Sequence, residues 1–372
     1  MVKLKILVVL NDLDIGGAQN YTISLMNEFL KLGNEVHLRI LSQNVPLLER
    51  LNKNINVKIY SRNSKLDFRI IKKIRNELKY ENYDAVISSD IHYQKIANYF
   101  INKDYKILYP IHFTIARGSK SYFINFITFR FKKKNEIFIT SIERQTNYLV
   151  KKYKLNKSFF TQIHNGVDTN KFILAPKSFS RNEFLLRIGI DPISKVILMV
   201  AGFREEKRHI DAVKAFSKLF NKRKDVYLVL VGDNRISEQN LLQEFVDINY
   251  IDNVKIFSAA EAGNIIDYYW AADLFTLTSD KVETFPISVL EAMSCGVPCV
   301  LTDVGGAKDI IVNDTYGRVV PKHDLDAISK SWIDILESKI DARKNRAHIE
   351  QNYSLTIAVE KYLNLMRHSD VN

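Results

Sequence analysis

VILMVAGFREEKRHIDAVKAFSKLF fills positions 196–220, and its reading decides the architecture. An unbroken apolar run, Val196 to Ala201, is what a strand covered on both faces requires. Gly202 opens a charged turn, and Ile210 to Phe220 then returns apolar residues at helical spacing. The series continues downstream with strand-like runs at Tyr227 to Val231, Val254 to Phe257, Leu274 to Leu277 and Pro298 to Thr302. Upstream there is a complete earlier series. Lys5 to Leu10 reads as a strand, Asn20 to Lys31 as a helix capped by Gly33, and Glu35 to Leu41 as a second strand. Ala85 to Ser88, Ile107 to Pro110 and Ile137 to Thr140 follow. Short strands alternating with amphipathic helices are the mark of parallel sheets covered by helices.

Two Rossmann-like α/β units therefore lie in tandem. The connector is Asn165-Gly166-Val167-Asp168 with Pro176 and the polar stretch to Asn182, placing one domain at 1–175 and the other at 176–354. The length of 372 residues suits two domains, and 46% hydrophobic with 26% charged residues argues against disorder, collagen-like repeats or a membrane bundle. The net charge of +12 is uneven: residues 1–190 carry 32 basic against 15 acidic side chains, the remainder 22 against 27. A positive surface suits phosphate-bearing ligands, nucleic acid or an anionic membrane. No recognition helix, aromatic RNA-binding motif or zinc knuckle accompanies it, which speaks against nucleic acid. Nowhere do eighteen apolar residues run together, and the apolar run at Ile6 to Leu10 is too short for a signal-peptide core. Cys295 and Cys299, in C-x3-C spacing among apolar neighbours, read as buried thiols in a reducing cytoplasm.

Chemistry concentrates between Asp280 and Asp303. Glu283 precedes Thr284-Phe285-Pro286, and Ile287 to Ser294 form an apolar-rich helix with Pro286 at its first position and Gly296 as its cap. The free N–H groups at such a helix start bind phosphate. Glu283 ahead of the helix and Glu291 within it are placed to grip two sets of hydroxyls around that phosphate. Arg204 and Lys207, leaving the end of the strand Val196 to Ala201 together, are suited to clamp a diphosphate. Gly16 and Gly17 sit at the first strand-to-helix turn, where glycine permits close approach of the backbone. His112, at the end of a strand, is the best histidine for an active site, with His92 next. Asp12 and Asp14 have a metal-binding D-x-D spacing, yet Asp324 and Asp326 repeat it where no metal is expected, so no metal is assigned.

These residues, in order, resemble the retaining, nucleotide-sugar-dependent family 4 glycosyltransferases. The resemblance spans nearly the whole chain: Ile15 to Ala18, Ile163 to Asp168 with Phe172, Gly202 to Arg204 with Glu206-Lys207, Glu283 to Pro286, Glu291 to Pro298, and Gly305-Gly306 with Gly317. It implies a GT-B fold, two Rossmann-like domains facing across a cleft, with the carboxyl-terminal helix (355–372) returning to the first, acceptor-binding domain. The second domain would hold the donor: Arg204 and Lys207 on the diphosphate, Glu283 on the sugar hydroxyls, Glu291 on the ribose, and the backbone of Thr284, Phe285, Pro286 and Ile287 around the phosphates. Gly16 and Gly17 would approach the donor, and His112 matches the histidine beside the reacting carbon. Thr284 departs from the common Gly or Ser, and Ser258 from a glycine near the base; both bear on which donor is used.

No enzymic nucleophile is evident, so the expectation is same-face attack by an acceptor hydroxyl on a hexosyl donor, most simply a UDP-sugar, without metal or other cofactor. An epimerase of the same fold and a silent sugar-nucleotide-binding subunit are the alternatives. Ser121 to Lys134, SYFINFITFRFKKK, mixes aromatic bulk with a basic end, as interfacial helices do. A cytoplasmic enzyme, peripheral on an anionic membrane through this stretch and acting on a glycan, lipid-linked or cell-wall acceptor, is the resulting expectation.

Overall fold

The computed structural model describes residues 2–62, 64, 67–98, 105–111, 119–233, 236–249, 251–281, 283–338 and 340–367. Of residues 119–122, 124, 236–238 and 260 the backbone alone is described. The chain divides into two compact units, Met1–Asn165 with Leu355–Asn372, and Gly166–Ser354. The division falls at Asn165/Gly166 rather than after residue 175. Residues 166–175 belong to the second unit because their carbonyls are claimed there. Trp270 Nε1 donates to Ile173 O at 2.8 Å, and Arg346 donates to Phe172 O and Thr169 O at 2.8 and 3.0 Å.

In the first unit, described strands β1 (Lys5–Leu10), β2 (Glu35–Ile40), β3 (Asn56–Ile59), β4 (Ala85–Ser88), β5 (Lys106–Pro110), β6 (Glu136–Thr140) and β7 (Phe160–Gln162) form a parallel sheet ordered 3-2-1-4-5-6-7. The central strands are aliphatic and buried on both faces, as helix-covered parallel strands must be. Ile70, Ile71, Ile74 and Leu78 of helix Phe68–Tyr80 and Phe129 of helix Ser119–Arg130 seal one face. On helix Gly17–Lys31 packs the last helix, Leu355–Arg367: the Phe29 and Tyr362 rings meet edge to face at 6.4 Å. The terminal helix thus returns to the first unit, because its Ala358, Val359, Tyr362, Leu363 and Met366 need a buried partner.

The second unit repeats the plan with β8 (Lys195–Val200), β9 (Val226–Gly232), β10 (Val254–Ser258), β11 (Leu274–Leu277), β12 (Cys299–Thr302) and β13 (Gly317–Val320), ordered 10-9-8-11-12-13 and parallel throughout. Trp332, fully buried on helix Leu325–Glu337, donates from Nε1 to Thr276 Oγ1 of β11 at 3.2 Å and locks that helix to the sheet. Strand order reverses between β8 and β11. In such sheets ligands bind outside the carboxyl ends of the strands at that reversal.

Candidate active site

Both loops that leave the reversal carry the charged residues singled out in the sequence. From β8 the chain runs through Gly202 to Arg204 and a short 3-10 turn, Glu205–Lys207. From β11 it runs through Thr278 to Glu283 and into helix Ile287–Ser294. The loops are stitched together by side-chain and backbone hydrogen bonds. Thr278 Oγ1 lies 2.9 Å from Arg208 O, and Asp280 N donates to Glu206 O at 3.0 Å. Lys207 Nζ consequently donates to Glu283 Oε1, which also accepts from Ser279 Oγ at 3.2 Å. Their side chains are only 20% and 10% exposed, so the pair is shielded from solvent screening.

Behind Glu283 stands Gly305, with φ +58 and its Cα against the Glu283 carbonyl, while Gly306 N donates to Thr284 O at 2.7 Å. A side chain at 305 would occupy the place of the Glu283 backbone, which explains Gly305 in physical terms. Phe285 is buried against the Tyr353 ring at 5.2 Å and fixes the entry to the helix. Pro286 is the N-cap rather than the first helical residue, Ile287 taking that place, and no side chain caps this end. Gly296, at φ +86, follows the C-cap Cys295. The uncapped amino end, with its dipole, faces the loop that carries Glu283, an arrangement suited to an anion.

Several residues at the site carried no signal strong enough to be noticed in the sequence. Asp233, directly after β9, accepts from Phe203 N at 3.1 Å and lies 4.0 Å from Arg204 Nε. Its position at a strand end, the same placement that marks Arg204, was the available clue. Arg208 adopts a left-handed conformation (φ +55) and forks onto Asp211 at 2.8 and 3.1 Å, and His323 Nδ1, also on a left-handed residue, lies 2.9 Å from Asp211. Burial opposes ionisation of Asp211, yet these two partners hold its carboxyl below the ordinary range. This knot pins the turn that bears Lys207. His209 is pushed down to about 4 by burial and is therefore neutral.

A family model described as Glycosyl transferases group 1 matches residues 181–354, and one described as Glycosyltransferase Family 4 matches residues 15–171. The chain belongs to the family 4 glycosyltransferases. N-acetyl-alpha-D-glucosaminyl L-malate synthase of Bacillus anthracis is 26% identical over 346 residues, 87% of this chain and 86% of that protein. A GDP-mannose-dependent monoacylated alpha-(1-6)-phosphatidylinositol monomannoside mannosyltransferase of Corynebacterium glutamicum is 29% identical over 56% of each chain. A Rickettsia africae glycosyltransferase superposes with TM-score 0.84 at 22% identity, covering 99% of this chain and 100% of that one. Anabaena HepE, solved with UDP and glucose, gives 0.82 at 17%, covering 98% and 100%. The fold is therefore GT-B, and this protein is an enzyme of the glycosyltransferase class.

Elsewhere in this glycosyltransferase, Glu291 sits half-buried on helix Ile287–Ser294, and burial pushes its carboxyl up to about 7 against the opposing hydrogen bond from Tyr269. Ser258, in place of a glycine, N-caps helix Ala259–Ala262 through a capping box with Glu261. Gly16 and Gly17 open helix Gly17–Lys31 in the first unit, with open space around Gly17. Asp12 Oδ1 braces this turn, accepting from Gln19 Nε2 at 2.9 Å and Asp14 N at 3.3 Å. Asp324 caps helix Leu325–Glu337 and Asp326 pairs with Lys218 at 2.7 Å. Among the described residues no group of three or more His, Cys, Asp or Glu is placed to hold a metal ion. His112 lies outside the described residues. His92 Nδ1 lies 2.7 Å from Thr128 Oγ1, and burial lowers its pKa.

No helix among the described residues is long and apolar enough to cross a membrane. The stretch from Ser121 to Lys134 splits into two faces. Asn125, Thr128 and Phe129 are buried, whereas Phe123, Ile127 and Phe131, each four residues apart, are 62%, 40% and 73% exposed. Arg130, Lys133 and Lys134 are exposed beside them.

Proposed function

We propose that this enzyme is a retaining transferase that moves a hexosyl group from a UDP-sugar to an acceptor hydroxyl in the assembly of a cell-surface polysaccharide, glycolipid or cell-wall polymer. The observation that supports it best is the meeting of Lys207 with Glu283 from adjacent strands at the sheet reversal, with Arg204 on the same turn as Lys207 and an uncapped helix end after Glu283. Arg204 and Lys207 take the diphosphate, Glu283 the hydroxyls of the transferred sugar, Glu291 the ribose, and the backbone N–H groups of Phe285 and Ile287 the phosphate oxygens. Gly16, Gly17 and His112 are assigned to donor binding on the family resemblance alone.

The anomeric carbon–oxygen bond to the diphosphate breaks while the acceptor oxygen bonds to the same face of that carbon. The acceptor proton passes to the departing phosphate oxygen. Negative charge grows on the leaving group, and Arg204, Lys207 and the helix dipole are the groups we assign to stabilising it. Removing one such preorganised donor costs about 3–4 kcal/mol of barrier, a few hundred-fold in rate. We assign this charge stabilisation to the side chains and helix end, without a metal. The base of the donor rests on likeness to HepE, whose structure contains UDP, while the Corynebacterium relative is named for GDP-mannose.

We place the enzyme on the cytoplasmic side of an anionic membrane. The first unit carries 30 basic against 15 acidic residues, the second 24 against 27, and the exposed Phe123, Ile127 and Phe131 lie on the basic one. A panel of UDP- and GDP-sugars, followed for slow hydrolysis and for isomerisation without acceptor, tests the reaction. Release of nucleotide diphosphate that falls by orders of magnitude in Lys207→Ala and Glu283→Gln is the expected result. Isomer formation from the donor alone, or wild-type rates in both variants, would overturn it.

A further inference from the structure

Among the described residues, one neighbour hydrogen-bonds to the Glu291 carboxyl. Tyr269, on helix Ile265–Ala271 and fully buried, donates its hydroxyl to Glu291 Oε2 at 2.7 Å. No described hydrogen bond reaches Oε1. The Tyr269 ring is itself fixed: it meets Phe172 edge to face at 5.9 Å and Phe275 at 6.0 Å. The Phe172 carbonyl in turn accepts from Ser294 Oγ and Arg346 Nη1. We propose that Tyr269 is a positioning residue for the nucleotide, its hydroxyl holding Glu291 so that Oε1 stays open to the vicinal hydroxyls of a ribose. This rests on the reading of Glu291 as the ribose ligand.

The physical need is specific. A glutamate side chain has three rotatable bonds, and a carboxyl that receives two hydroxyls must be both ionised and oriented. Burial works against ionisation, pushing Glu291 up to about 7, while the Tyr269 O–H favours the charged form and offsets part of the shift. Tyr269 itself is raised well above the ordinary tyrosine value by burial and by Glu291, so it stays a phenol with a single proton, and that proton is committed to Oε2. The other groups that bear on Glu291 or on Tyr269 are Lys171, which favours the ionised carboxylate, and the thiols Cys295 and Cys299, with Arg346 beside Cys295.

Binding of UDP and of GDP is measured by calorimetry from pH 6 to 8.5, and the nucleotide bound by the wild-type chain is used with its 2′-deoxy analogue. Tyr269→Phe keeps the ring and its packing. It is expected to weaken ribonucleotide binding about tenfold at pH 7, as loss of a hydrogen bond to a charged group does, and to move the low-pH loss of affinity up by about one unit. Its effect on the 2′-deoxy analogue is smaller, and in the Glu291→Gln background it has none. Wild-type affinity and pH midpoint in Tyr269→Phe, or a loss that persists undiminished in Glu291→Gln, would show that Tyr269 only packs. If instead Glu291→Gln binds both nucleotides as the wild type does, the ribose assignment of Glu291 fails and the proposal with it.

Discussion

Replacing Gly305 by alanine separates the position of Glu283 from the stability of the domain. Gly305 has φ +58, where an alanine costs about 1–2 kcal/mol relative to a right-handed conformation. Gly263 has nearly the same angle, φ +61, but a Cβ there meets nothing within 4 Å. At Gly305 the new Cβ overlaps the Glu283 carbonyl oxygen and comes within 2.8 Å of the Glu283 carbonyl carbon and of Thr284 O. Ordinary contact begins at 3.4 Å, so the Glu283 carbonyl oxygen, the nearest atom, must retreat by about 1 Å, and overpacking of this kind costs about 1–3 kcal/mol. A misplacement of about 1 Å can cost about 100-fold in rate, so Gly305→Ala is expected to lose about 10- to 100-fold in donor hydrolysis at saturating donor. Gly263→Ala should lose only stability, about 2–4 °C in Tm for each kcal/mol in a unit of this size. Thermal melts and turnover are compared in the two variants. Equal turnover in both, with Gly305→Ala less stable, would refute the link between this glycine and the position of Glu283.

Glu291 gives two pH effects of opposite sense. Its carboxyl is protonated in the free enzyme below about 7, so nucleotide affinity should rise as pH is raised through 7, and Glu291→Gln should flatten that rise in a calorimetric titration. In the free enzyme the folded state holds this proton more tightly than the unfolded chain, so the group's contribution to stability is present at acid pH and lost as pH rises through about 7; denaturant melts of Glu291→Gln should lack that slope. Cys295 and Cys299 are buried, with burial pushing Cys295 up to about 12, so both thiols should react with a disulfide reagent only after unfolding; rapid labelling of the native protein would contradict their placement. Flotation with anionic vesicles should occur at low salt and be lost in the triple variant Phe123→Ser, Ile127→Ser, Phe131→Ser; unchanged flotation would move the contact elsewhere on the basic unit.

Long aliphatic runs made most of the sheet legible, because a strand buried on both faces must be apolar along its whole length whatever surrounds it. The strands that escaped notice are β3, β7 and β13, at most four residues each and all at sheet edges. Asn56–Ile59 has little burial of its own and is a strand only because β2 offers it a ladder. The end of the linker escaped for a related reason. Nothing local in residues 166–175 reveals that Trp270, Arg346 and Ser294, far along the chain, claim their carbonyls.

At the site, types and spacing were readable from the chain alone: two cations after one strand, a glutamate ahead of a proline-led helix and a second glutamate within it. These follow from local chemistry, since a turn leaving a buried strand exposes whatever charges it carries and a helix start leaves N–H groups free. Only the tertiary structure decided that Lys207 meets Glu283, that Gly305 stands behind it, that Asp233 lies beside Arg204, and that Tyr269 holds Glu291. Each of these contacts joins residues brought together by strand order in a parallel sheet. That order is set by which crossover packs where, a property of the whole core that no stretch of sequence carries by itself.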